Sequence, residues 1–190
     1  MVPTRRQTLA AAGALLAGLS GCSSRDDTTP TATAGERSYD GTVDDPTSRT
    51  VRNPDGEPAV RSTVVNPFPE WTDTDWLVRD RDEREALYFA ADADGVDAAL
   101  SLVDDSDFSS SLVLVHQHPV RHCEEWSLEG LRWGDADAGA PAGSAAVELS
   151  YDAIEREDDC GGDDDRDVAA TFVRVPARFE RVTEFGFGVS

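Results

Sequence analysis

Lysine is absent from this chain. All 17 basic residues are arginine, set against 38 Asp and Glu, and the formal net charge is −21. So deep a deficit of positive charge excludes a general nucleic-acid binder, which needs a basic surface to displace counterions from phosphate. It also disfavours docking on anionic lipid by charge. Long apolar runs are missing: the longest, Leu9 to Leu19, falls well short of the about 20 residues that a bilayer-spanning helix needs. There is no G-x-S-x-G, no phosphate loop, no dinucleotide glycine motif and no H-E-x-x-H. No catalytic residue is therefore assigned, and an enzyme is not the expectation. The acidic runs Asp92-Ala93-Asp94-Gly95 and Asp163-Asp164-Asp165 lack the D-x-D-x-D-G spacing and distal Glu of a calcium loop, and read as solvated surface.

What is present is acid on a chain that can still fold. Hydrophobic residues make up 39% of the 190, enough for one domain with a tail. The acidic segments also carry Trp, Phe, Leu and Val, unlike those of a disordered acidic tail. Dense carboxylates keep a protein soluble where salt screens charge within about 3 Å at 1 M. The apolar stem of lysine adds sticky surface there, and its absence fits adaptation to high salt.

The first residues read as an address. Arg5 and Arg6 precede the Leu9 to Leu19 run, as in a twin-arginine export signal, although Thr8 stands where such signals often carry Phe. Leu19-Ser20-Gly21-Cys22 follows and resembles a lipobox, with Cys22 as the lipidated first residue of the mature chain. Residues 1–21 are then a signal peptide, and the mature chain is anchored to the outer face of the cell membrane. Residues 22–57 are rich in Thr, Ser, Asp, Pro and Gly, and are expected to form a flexible linker.

A single β-rich domain is expected over 58–190. Ala59 to Val65, Trp76 to Val78 and Leu87 to Ala91 read as short strands, the first two split by a turn at Asn66 to Pro69. Val96, Ala99, Leu100 and Val103 form one helical stripe. Leu112 to Val115 is continuously apolar, as in a central strand covered on both faces. Trp126 and Leu128 share one parity and Leu131 and Trp133 the other, so a bulge at Glu129-Gly130 would turn all four inward. Val147, Leu149, Tyr151 and Ala153 alternate with polar residues, Thr171 to Val175 stops at Pro176, and Phe185, Phe187 and Val189 alternate with glycine. Asp135 to Gly143 reads as a loop. The pattern predicts an antiparallel β-sandwich with one short helix.

The segments DRDEREALYFAADADGVDAALSLVDDSDFSSSLVLV, ATFVRVP and FGFGVS, with a Cys after the first and another near 160, resemble uncharacterised lipoproteins of halophilic archaea over roughly residues 51–190. The resemblance implies secretion, a lipid anchor and a paired cysteine, and implies no activity. The SLVLV…FVRVP pattern is also similar to a β-sandwich domain of bacterial protease-stabilising lipoproteins, which bears on fold.

Two cysteines remain beyond Cys22, and in an exported domain Cys123 and Cys160 are expected to form a disulfide. All three histidines fall between 116 and 122. On a strand His116 and His118 share a face, and two imidazoles at that spacing can hold Zn or Cu. His122 is the candidate third ligand, and Glu124 or Glu125 a fourth. The alternative is a strand end carrying surface histidines. Two functions are thus in view: a non-catalytic surface domain that meets an unidentified cell-surface protein, and a Zn- or Cu-binding lipoprotein.

Overall fold

Leu112 to Val115 has no polar position, and no face of such a strand can meet water without cost. In the computed structural model it lies at the centre of the molecule, buried throughout. The structure describes residues 38–64, 70–156 and 166–190. All of them fall in the compact unit Arg37–Ser190. The expectations placed on the signal peptide with Arg5 and Arg6, on Cys22, on the Asn66 to Pro69 turn, on Cys160 and on Asp163 to Asp165 lie outside the described residues.

The elements in chain order are β1 (Gly41–Asp44), β2 (Ser48–Asn53), β3 (Val60–Ser62), β4 (Thr74–Val78), α1 (Arg81–Glu85), β5 (Leu87–Phe89), α2 (Val96–Asp104), β6 (Leu112–Arg121), β7 (Glu124–Asp135), β8 (Ser144–Glu155), β9 (Arg166–Val175) and β10 (Arg181–Val189). They make two four-stranded sheets. Sheet I has the order β1-β7-β8-β10, sheet II the order β2-β9-β6-β4, and β3 pairs with β5 apart from both. The protein is mainly β and its pairings are antiparallel, with one exception: β10 runs parallel to β8.

Sheet II is covered on both faces. Its inner face packs Leu77, Leu112, Leu114 and Val173 against Leu128, Leu131, Val147 and Leu149 of sheet I. Its outer face packs Val51, Val113, Val115 and Phe172 under Ala99, Leu102 and Val103 of α2. This double cover explains why β6 and β9 read as unbroken apolar runs. The β7–β8 register shifts between Leu128 and Gly130, and the bulge turns Trp126, Leu128, Leu131 and Trp133 toward the same core, as the change of parity predicts. The β7–β8 connection is a loop, and β9 stops before Pro176.

Three expectations need correction. The folded unit begins before residue 58. β1 pairs with β7 and β2 with β9, and Val51 is fully buried. These strands sit at sheet edges and bury few side chains, so their sequence carries little apolar signal. Among the described residues there are two helices, where one was expected. α1 has a charged sequence and is started by Asp80, whose carboxylate accepts from the Glu83 N–H at 2.8 Å. In α2 the buried face is Ala99, Leu102 and Val103, with Leu100 only half-buried.

Candidate functional site

Along β6, side chains alternate between the two faces of sheet II. Leu112, Leu114, His116 and His118 point inward, so the apolar core gives way to imidazole toward the C-terminal end of the strand. The register sets Asp75 of β4, His116 of β6, Thr171 of β9 and Thr50 of β2 in one row across the inner face. The Thr50 and Thr171 hydroxyls are 3.4 Å apart. Sheet I answers this polar row with rings: Trp126 from β7, Tyr151 from β8, and Phe185 and Phe187 from β10.

The rings form a continuous stack. His116 and His118 lie face to face with centroids 4.7 Å apart, and Trp126 stacks on the far side of His118 at 4.3 Å. Phe185 and Phe187 lean on His116 at 4.9 and 4.8 Å. His116 Nδ1 and the Tyr151 hydroxyl are hydrogen-bonded at 2.9 Å. His116 Nε2, both ring nitrogens of His118 and Trp126 Nε1 are buried without a protein partner.

Burial dominates the electrostatics. It lowers His116 to about 3, with the neighbouring His118 adding to the effect. It lowers His118 to about 4; the backbone of His116 opposes the shift and the Arg52 charge assists it. Burial also pushes the Tyr151 phenol up, and it raises the Asp75 carboxyl, with help from Asp73. At neutral pH the centre is therefore two uncharged bases in an aromatic enclosure, with ring nitrogens free to take protons.

The structure separates His122 from the other two histidines. His122 Nδ1 meets Asp167 Oδ1 at 3.0 Å. Asp167 is buried and also holds the Arg52 guanidinium, which reaches the carbonyls of Arg121, His122 and Glu124 at 2.9, 2.9 and 2.6 Å. The bonds from His122 and Arg52 outweigh burial and hold the Asp167 carboxyl below its usual range. Glu124 bonds Arg121 at 3.1 Å and Glu125 is exposed. The expected ligand set of His116, His118 and His122 is thus not brought together. Among the described residues no group of three or more His, Cys, Asp or Glu is placed to hold a metal ion. His116 and His118 do share a face, as their spacing predicts. Face-to-face stacking, however, sets their in-plane lone pairs side by side instead of converging on one point. The reading of surface histidines is corrected as well, since His116 and His118 are 1% and 2% exposed.

Cys123 sits buried in the two-residue reversal between β6 and β7, and it is not a free thiol. Its carbonyl accepts from Arg156 N–H at 2.6 Å, which fixes the outgoing end of β8 beside it. Asp92 and Asp94 are exposed, as expected of solvated surface.

The sequence marked the two histidines but not Tyr151, Trp126, Phe185, Phe187, Asp75 and Thr171 as their companions. Alternation turned the aromatic residues inward; which of them cross the gap to meet β6 depends on how the sheets stack. Comparison with protein-family models, curated proteins and solved structures returns no match.

Proposed function

We propose that this chain is a lipid-anchored, non-catalytic binding or structural module. It stands on the extracellular face of the cell membrane of a salt-loving organism, exported through its twin arginines and held by lipid on Cys22. The observation that carries this reading is Leu19-Ser20-Gly21-Cys22 directly after an Arg5-Arg6 pair and a short apolar run. The lysine-free, strongly acidic composition supports it, because such a surface suits brine. In the β-rich unit His116, Gln117 and His118 are turned inward, and most of its carboxylates lie at the surface. Cys123, bridged to Cys160, belongs to the same reading of an exported domain.

The test is expression in a salt-loving host followed by fractionation. The native chain is expected in the membrane fraction, detergent-soluble, with a lipid-bearing N-terminal peptide at Cys22. Cys22→Ser should move it out of the detergent phase, and Arg5→Lys with Arg6→Lys should retain the precursor in the cell. Full-length precursor in the cytosol with Met1 intact would defeat the proposal.

A further inference from the structure

We propose that the His116–His118 stack is an acid-sensitive latch on β10: proton uptake by the two imidazoles releases the C-terminal strand while sheet II stays folded. The geometry supplies two neighbouring bases with nowhere to put a charge. Their rings are 4.7 Å apart and almost without solvent contact. An imidazolium pair at that distance repels, and each ring has lost its water.

At most one counter-ion faces two incoming charges. β4 presents half-buried Asp75, register partner of His116, whose carboxyl burial and Asp73 hold above its usual range. β9 presents Thr171 and, further along, Asp167, which is committed to Arg52 and His122. β2 presents Thr50 and Arg52, the latter of the same sign as the incoming charge. β7, β8 and β10 present Trp126, the Tyr151 phenol, and Phe185 with Phe187. One carboxyl cannot balance two imidazolium rings, and the doubly charged pair must reach water.

The cheapest route to water is through β10. This strand is an edge with one neighbour, β8, whereas β6 and β9 are buried on both faces. Phe187 is already 44% exposed. Gly186 and Gly188 leave the other face of the strand without packing. Its end is tied by two backbone bonds, Ser190 N–H to Tyr151 O at 3.0 Å and Ala153 N–H to Ser190 O at 3.1 Å. Lifting β10 removes both phenylalanine rings from His116 and exposes the pair without breaking the β6–β9 ladder. An edge element of this kind opens below the free energy of global unfolding.

Hydrogen exchange of the full-length chain at constant molar salt tests the latch. Rates are corrected for the intrinsic pH dependence of exchange and compared between peptides from β10 and β6. Opening of β10 should rise as pH falls below about 6.5, by up to about a hundredfold per pH unit where both rings take a proton. β6 should remain protected over that range. His116→Gln with His118→Gln should flatten the slope, and His122→Gln should leave it intact. Should the double variant not fold, His118→Gln alone should cut the slope to about tenfold per unit. An unchanged slope in the His116 and His118 variants, or loss of β6 and β10 protection together in the native chain, would overturn the proposal.

Discussion

Arg52, half-buried, forms an ion pair with buried Asp167 that joins the second strand of the fold to the ninth, and the same guanidinium holds three carbonyls around the β6–β7 reversal. The pair does more than neutralise charge. It fixes the turn that carries Cys123, and it keeps the Asp167 carboxylate occupied beside His122.

Arg52→Met should therefore cost about 2 kcal/mol or more, because it leaves the buried Asp167 carboxylate with His122 alone and frees three carbonyls. Arg52→Lys should recover little, since one ammonium cannot reproduce a fork that reaches Asp167 and three carbonyls. Denaturant titration at neutral pH and fixed salt checks both. Equal stability of Arg52→Met and native protein would show that the network carries no weight.

Global stability should fall on acidification for a reason separate from the acidic surface. The folded values of His116 and His118, about 3 and about 4, lie below the ordinary 6.5. Their contribution is complete above pH 6.5. It is lost as pH falls toward the folded values, because the unfolded chain takes up protons that the folded chain refuses. The loss amounts to about 1.4 kcal/mol per pH unit for each ring, or about 3 kcal/mol per unit for the pair. Denaturant midpoints from pH 8 to pH 5 should trace this fall in native protein. The slope should shrink in the double glutamine variant; a slope of equal size there would assign the acid sensitivity to carboxylates.

Gly95 caps the start of α2 with φ +82°, a backbone region that side chains disfavour, and a Cβ there would overlap the Thr50 carbonyl oxygen. Gly95→Ala should thus cost about 2 kcal/mol or more through strain and displacement of α2 from β2. Ala98→Gly, at an exposed position of the same helix, should cost only about 1 kcal/mol. Thermal unfolding of the two variants should rank them in that order.

A bridge from Cys123 to Cys160 closes a loop of 38 residues, counting both ends. In the loop-entropy account it should contribute about 4 kcal/mol. Intact mass without reductant should read two hydrogens fewer than with it. Reduction should lower the denaturant midpoint, and a mass that does not change would remove the bridge.

The sequence made the interior legible wherever apolar residues had no alternative. Leu112 to Val115 reads as a covered central strand because no residue in it tolerates water. The parity change between Leu128 and Leu131 marks a bulge because a regular strand would expose one pair. β1 and β2 were hidden for the opposite reason: among their ten residues only Val43 and Val51 are apolar, and their place is set by the backbone edges of β7 and β9. α1 has no apolar stripe, and its buried residue is Glu83, matched to Arg79. The direction of β10 was hidden because alternation is the same in parallel and antiparallel pairs. The shared face of His116 and His118 followed from spacing alone. Their burial did not, since it depends on rings delivered by strands up to about 70 residues away in sequence.

Because β10 runs alongside β8 in the same direction, no hairpin can deliver it; residues 176–180 carry the chain across from one sheet to the other. The strand that seals the imidazoles therefore depends on a crossover and not on a tight turn. Shortening residues 176–180 would leave the β7–β8 hairpin able to form while denying β10 its berth, so the imidazole compartment is closed by a connection that touches neither ring.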